Sequence, residues 1–160
     1  MTPPLVIILM GSKADAAHCD KINAAARDLG LDVQQHIASA HKTPEHALSL
    51  LRAAEADPRP KVYITVAGRS NALSGLVDGM VSAPVIACPP PSEAFGGADV
   101  LSSLRMPSGI APAVVLDPGN AALLAAKILG LGDAAVRARV QAQQQAQQQR
   151  ILAEDQELQP

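Results

Sequence analysis

Ser39-Ala40-His41-Lys42-Thr43-Pro44 sets an imidazole beside an ammonium, between a stretch of alternating apolar and polar residues and a segment that opens like a helix. A histidine offers a proton carrier that works near neutral pH, and a lysine offers a point charge for an anion. Val33-Gln34-Gln35-His36-Ile37-Ala38 has the two-residue period of a strand. Thr43 as N-cap and Pro44 at the first helical position start a helix, and Glu45 suits its positive end. His41 then lies just outside a helix N-terminus, where the dipole disfavours the imidazolium and leaves a ring able to accept a proton. Taken alone, the same histidine also fits an ordinary surface loop.

Other segments carry polar residues in comparable positions. Gly11-Ser12-Lys13-Ala14-Asp15 follows an apolar run, and free N–H groups at the start of a helix there could hold a phosphate. A capping box, with Ser12 at N-cap and Asp15 at N3, explains the same residues without a ligand. Asp15 would repel a phosphate, so ribose hydroxyls are its natural partners. Gly68-Arg69-Ser70-Asn71 is small and polar enough for a planar ligand to approach its backbone; Asn71 or Ser70 could equally cap a helix. Cys88-Pro89-Pro90-Pro91-Ser92 is a rigid exit that offers a wall and no acid or base, with Cys88 reading as a small buried residue rather than a nucleophile. Ser102-Ser103-Leu104-Arg105-Met106-Pro107-Ser108-Gly109 brings one guanidinium and several hydroxyls, suited to a carboxylate or phosphate, and Arg105 could equally make a subunit contact. The chain has no GxxxxGK[ST], GxGxxG or GxSxG motif. His36, His41 and His46 are spaced by five, which on a strand puts the first two on opposite faces and argues against a shared metal.

The elements that must position these residues follow from periodicity. Apolar runs at Leu5–Met10, Val33–Ala38, Val62–Ala67, Pro84–Ala87 and Ala113–Leu116 alternate with helical patterns, one with His18, Cys19, Ile22, Ala25, Ala26 and Leu29 on a face and another with Ala47, Leu48, Leu51 and Ala54. Gly30 stops the first helix. Strands joined by helices give a parallel sheet covered on both faces, a doubly wound, three-layer, flavodoxin-like α/β fold whose ligands bind at the C-terminal strand ends. Residues 1–132 form this domain, and 133–160 an Ala/Gln-rich helical extension. Val136, Val140, Ile151 and Leu152 make only a thin apolar stripe on it, so the extension either docks on another subunit or stays solvated.

Composition narrows the function. The 160 residues are 48% hydrophobic and 18% charged, enough for one core, and Tyr63 and Phe95 are the only aromatic residues. Stacking platforms and basic blocks are missing and the net charge is −2, which excludes nucleic acid as the expected partner. Leu5–Met10 is too short to span a bilayer, and no secretory signal is evident. Cys19 and Cys88 give neither a disulfide framework nor a CxxC spacing, so a reducing, cytoplasmic setting is expected. Small molecules and copies of the chain itself remain as partners.

Five segments together, MGSKAD (Met10–Asp15), SAHKTP (Ser39–Pro44), AGRSNALSGL (Ala67–Leu76), ACPPPS (Ala87–Ser92) and SSLRMPSG (Ser102–Gly109), resemble the class II phosphoribosylaminoimidazole carboxylases of purine biosynthesis along nearly the whole chain. The related class I mutases, which act on the carbamate isomer of the product, typically carry Arg after the His and a loop ending in HLPG. Lys42 and the GRSN loop stand there in this chain and favour the carboxylase, with the mutase and a non-catalytic nucleotide-binding module as alternatives. The resemblance implies carboxylation of aminoimidazole ribonucleotide by carbon dioxide without metal, ATP or any other cofactor, in an octamer whose C-terminal helix reaches a neighbour. It further implies His41 as proton carrier, Ser12 and Lys42 on the phosphate, Asp15 on the ribose, and Ser70 with its loop on carbon dioxide or the new carboxylate. Gly11, Ser39, Ala40, Gly68, Arg69, Asn71, Arg105 and Ser108 are implied as further lining.

Overall fold

Leu-Val-Ile-Ile-Leu-Met, buried at every position, forms the interior strand β1 (Leu5–Met10) of a computed structural model that describes residues 2–158. There follow α1 (Ala16–Asp28), β2 (Asp32–Ile37), α2 (Pro44–Glu55), β3 (Lys61–Val66), α3 (Ala72–Asp78), β4 (Val85–Ala87), α4 (Leu101–Leu104), β5 (Ala113–Val114), α5 (Pro118–Leu129) and α6 (Ala134–Glu157). Short 3₁₀ turns occupy Lys13–Asp15 and Ala94–Val100. The strands pair in parallel in the order β2-β1-β3-β4-β5, the flavodoxin-like order.

A continuous apolar strand belongs between two helical layers, because alternate side chains need cover on opposite faces. Val6, Ile8 and Met10 meet Cys19, Ile22 and Ala26 of α1 and Ala121, Ala122, Ala125 and Ala126 of α5 in one core. Leu5, Ile7 and Leu9 meet Ala47 and Leu51 of α2 and Leu73 and Val77 of α3 in the other. Gly30, at φ 81°, ends α1 in a Schellman motif: its N–H donates to Arg27 O at 2.9 Å and the Leu31 N–H donates to Ala26 O at 3.1 Å.

β1 has the bounds its apolar run suggests, and the other strands are offset or shorter than the periodicity suggests. β2 and β3 each begin and end one residue earlier, at Asp32–Ile37 and Lys61–Val66. Pro84 joins β4 only through its carbonyl, which accepts from Tyr63 N at 3.0 Å, since proline has no N–H to give. β5 is reduced to Ala113–Val114, with Leu116 more than half exposed. In α6, Val136 and Val140 are buried in the first core while every described residue from Gln141 onward is exposed, Ile151 and Leu152 included, so the opening turns of the extension pack on this chain itself. Gln159 and Pro160 lie outside the described residues. Among the described residues no helix is long and apolar enough to cross a membrane.

The N-terminal edge of the sheet is tied by Arg59, whose Nη1 lies 2.7 Å from Asp32 Oδ2 and whose Nη2 lies 2.7 Å from Asp57 Oδ2. The Arg59 side chain, and then its backbone N–H, holds the Asp57 carboxyl down to about 2, and the same guanidinium lowers Asp32. A carboxylate depressed on folding stabilises above its unfolded pKa and loses that contribution as pH falls through the folded one. Arg59→Ala is therefore expected to lower the thermal midpoint at pH 7, and the gap should close between the ordinary 3.8 and about 2. Thermal melts across that range check this, and a gap that stayed constant would show that the carboxylates are not its source.

Candidate active site

Three strand ends build one cleft of about 550 Å³ at the C-terminal edge of the sheet, in the range of small-molecule sites. The loop after β1 contributes Gly11, Ser12, Ala14 and Asp15; the loop after β2 contributes Ser39, Ala40, His41 and Lys42; the loop after β3 contributes Ala67, Gly68, Arg69 and Ser70, with Leu73 of α3 beneath. Strand order reverses between β1 and β3, the position at which doubly wound sheets bind ligands.

The histidine loop is braced by its own side chains. Thr43 N–H donates to Ser39 O at 2.9 Å, Ser39 N–H donates to Thr43 Oγ1 at 2.9 Å, and Lys42 N–H donates to Ser39 Oγ at 3.2 Å. Thr43 is the residue before α2, and Pro44 begins it, but the Thr43 hydroxyl bonds back to Ser39 and makes no cap to the helix. Residues 40–42 form the resulting turn, with the His41 and Lys42 side chains exposed in the cleft. Among the described residues neither Lys42 nor Arg69 has a salt-bridge partner, so two cations face the opening with their charge available to an anion.

The first loop differs from the capping-box expectation. Ser12 is extended, with φ −157°, its side chain caps no backbone N–H, and its hydroxyl donates instead to Asp15 Oδ2 at 3.3 Å. The cause is the 3₁₀ turn over Lys13–Asp15, which delays α1 to Ala16 and turns the two side chains toward each other. Both therefore line the cleft. Asp15 gives it one negative charge opposite the two cations.

In the third loop the left-handed residue is Arg69, at φ 57°, while Gly11 and Gly68 keep ordinary backbone angles. Asn71 is 4% exposed; its Oδ1 accepts from Ser74 N at 3.2 Å and caps α3, and its Nδ2 donates to Ser103 Oγ at 2.9 Å. Asn71 thus lies behind the cleft wall. Arg105, which ends α4, and Ser108, in the following turn, are exposed and stand outside this lining. The other expected site residues, Gly11, Ser12, Asp15, Ser39, Ala40, His41, Lys42, Gly68, Arg69 and Ser70, come together in it. Sequence patterns missed Ala14, Ala67 and Leu73, which have no functional groups and enter the lining by position alone.

Pro89, Pro90, Pro91 and Ser92 wall a neighbouring cleft of about 520 Å³ that meets the first at Gly68 and also takes His18, Lys21 and Asp117. His18 lies on the same helix as the buried Cys19 and Ile22 but is only partly covered, with Nε2 3.3 Å from Cys88 Sγ. Burial, and then Lys21, lowers its pKa. Burial also pushes the Cys88 thiol up to about 12, so it is protonated at neutral pH and poor as a nucleophile. Among the described residues no group of three or more His, Cys, Asp or Glu side chains is placed to hold a metal. Cys88→Ala is expected to retain full activity, and native Cys88 should resist alkylation at pH 7 on a timescale that labels it fully in denaturant. Mass spectrometry of the alkylated protein checks the second point, and rapid native labelling would contradict the burial.

Comparison with known proteins gives a consistent result. A family model described as AIR carboxylase matches residues 5–150. The phosphoribosylaminoimidazole carboxylase of Treponema denticola is 55% identical over 155 residues, 97% of this chain and 98% of that protein. The protein of the same name from Archaeoglobus fulgidus is 51% identical over 152 residues, 95% and 83% of the two chains. The crystal structure of Treponema denticola PurE superposes with a TM-score of 0.96 at 54% identity, covering 98% of this chain and 99% of that one.

Proposed function

The chain belongs to the AIR carboxylase family, and from that premise we propose that it is a carboxy-lyase joining 5-aminoimidazole ribonucleotide and carbon dioxide, reversibly, to give 4-carboxy-5-aminoimidazole ribonucleotide in purine biosynthesis. The observation that carries the reading is the convergence of His41, Lys42, Ser12, Asp15 and Ser70 on one cleft from three separate strand ends.

Aminoimidazole ribonucleotide is enamine-like, so the ring carbon beside the amine attacks carbon dioxide directly. That carbon becomes tetrahedral, bearing both its hydrogen and the new carboxylate. Removal of the hydrogen restores the aromatic ring, and in the reverse direction the same position must be protonated. The protein has then to orient two reactants and supply one proton carrier. His41 is that carrier. Lys42 and Ser12 hold the phosphate, Asp15 accepts from ribose hydroxyls, and Ser70 with the backbone of its loop receives carbon dioxide and the carboxylate that forms from it. The exposed cations of Lys42 and Arg69 support binding of an anionic nucleotide. No step needs metal, ATP or another cofactor.

The exposed length of α6 from Gln141 to Glu157, with Ile151 and Leu152 on it, supports assembly with further copies, an octamer by resemblance. The reaction fits a cytoplasmic setting, as do the two unpaired cysteines. Truncation after Gln141, which leaves Val136 and Val140 in the core, is expected to lower the number of copies in the assembly, read as particle mass over chain mass in light scattering. An unchanged number of copies would remove α6 from the assembly.

Purified protein given aminoimidazole ribonucleotide and bicarbonate should produce the ultraviolet change of carboxylation. Turnover of the carbamate isomer alone would make it a mutase, and binding with no conversion a nucleotide-binding module. His41→Asn should retain fold and nucleotide affinity while lowering kcat by about a thousandfold, the scale of a lost proton carrier. Near-normal kcat would remove His41 from the chemistry. Lys42→Ala should raise the nucleotide KM about tenfold, as expected for one charge-assisted hydrogen bond, with kcat little changed. A loss confined to kcat would contradict the phosphate role.

A further inference from the structure

Arg69 has a left-handed backbone, φ 57°, uncommon for a residue other than glycine, and its turn is tied to a separate element. The constraint comes from α4. Ser102 Oγ accepts from Asn71 N at 3.0 Å, and its single proton has two carbonyls within reach, Arg69 O at 3.0 Å and Asp99 O at 2.8 Å. The residues on either side of Ser70 are thus held by one hydroxyl, while Ser70 itself is left to face the cleft. Beside it Ser103, 1% exposed, accepts from the Asn71 side chain and fixes the same turn from the buried side. Neither serine lines the cleft.

We propose that Ser102 is a positioning residue for the reaction: gripping Arg69 and Asn71 from behind, its hydroxyl sets where Ser70 meets carbon dioxide and the nascent carboxylate. The inference rests on the functional reading above and adds a residue from a different segment to it. It also separates two parts of the site. The groups assigned to the phosphate and ribose, Ser12, Lys42 and Asp15, stand on the loops after β1 and β2, which Ser102 does not touch, and Ser102 meets Arg69 at its carbonyl and not at its exposed guanidinium, so loss of the hydroxyl should fall mainly on the one-carbon partner.

The experiment is a set of initial rates for the unsubstituted protein, Ser102→Ala and Ser102→Thr, with carbon dioxide varied at saturating nucleotide and nucleotide varied at fixed carbon dioxide, and thermal midpoints measured alongside. Loss of one positioning hydrogen bond predicts a fall of about tenfold in kcat/KM for carbon dioxide in Ser102→Ala, with the nucleotide KM within about twofold, and partial recovery in Ser102→Thr, which keeps the hydroxyl. If Ser102→Ala does not fold, Ser102→Cys is judged by the same criterion. An unaltered carbon dioxide dependence, or equal losses toward both substrates, overturns the inference while the functional reading stands. An inactive unsubstituted protein overturns both.

Discussion

The flush ending of three parallel strands is the constraint on which the site depends. Met10 is in register with Ile37 on one side and Val66 on the other, so β1, β2 and β3 run out at the same level. The ladder continues by one hydrogen bond on each side, Ala38 N to Met10 O and Gly11 N to Val66 O, both 2.9 Å, before the three chains part. Each loop therefore starts from a fixed height and direction, and its side chains fall within a few residues of those of its neighbours. A slip of one residue in β2 would carry its side chains to the opposite face and take His41 out of the cleft with them. All six residues of β1 are buried, so both faces of the strand that carries this register are closed to water.

Beyond the strand ends, stability and function are divided among different groups. The polar side chains that are buried or bonded inward, Ser39 with Thr43 and Asn71 with Ser103, shape the loops. The side chains left without such partners, Lys42, Arg69, Ser70 and His41, project at the surface of the cleft. The two cations retain their hydration in the open cleft, and thus escape the penalty of an unpaired buried charge. An arriving phosphate or carboxylate would replace that water with charge-assisted hydrogen bonds.

Features set by short-range chemistry were legible in the sequence. β1 has the bounds its apolar run suggests, Gly30 ends α1, Pro44 begins α2, and Asn71 caps α3, each because the relevant hydrogen bond or φ angle is decided within a few residues. The capping box failed for the complementary reason. Ser12 and Asp15 have the right spacing, but a 3₁₀ turn rather than an α-turn lies between them, and residue types alone do not choose between the two. The left-handed Arg69 was equally hidden, since the hydroxyl that holds it belongs to Ser102, distant in sequence. Val136 and Val140 belong to a thin apolar stripe in the sequence of the tail; two residues suffice to seat the start of α6 because the α5 surface is built from alanines that let the helices approach closely.

Aromatic scarcity constrains how a heterocycle can be held here. Tyr63 is fully buried, its hydroxyl donating to Glu55 Oε1 at 2.7 Å, and Phe95 is 88% exposed on a left-handed turn outside the cleft lining. A flat ring in the cleft must therefore lie against backbone and aliphatic groups, with Ala67, Gly68 and Leu73 the candidates. Such a surface gives contact area without the directional preference of ring stacking, and orientation then has to come from the polar ends of the ligand. A phosphate anchored at one end and a carboxylate received at the other would fix the ring by two points, with His41 above the bond that changes. On that arrangement the spacing between the histidine loop and the loop after β3 becomes the critical dimension of the site. It is set by β1, the strand that lies between β2 and β3.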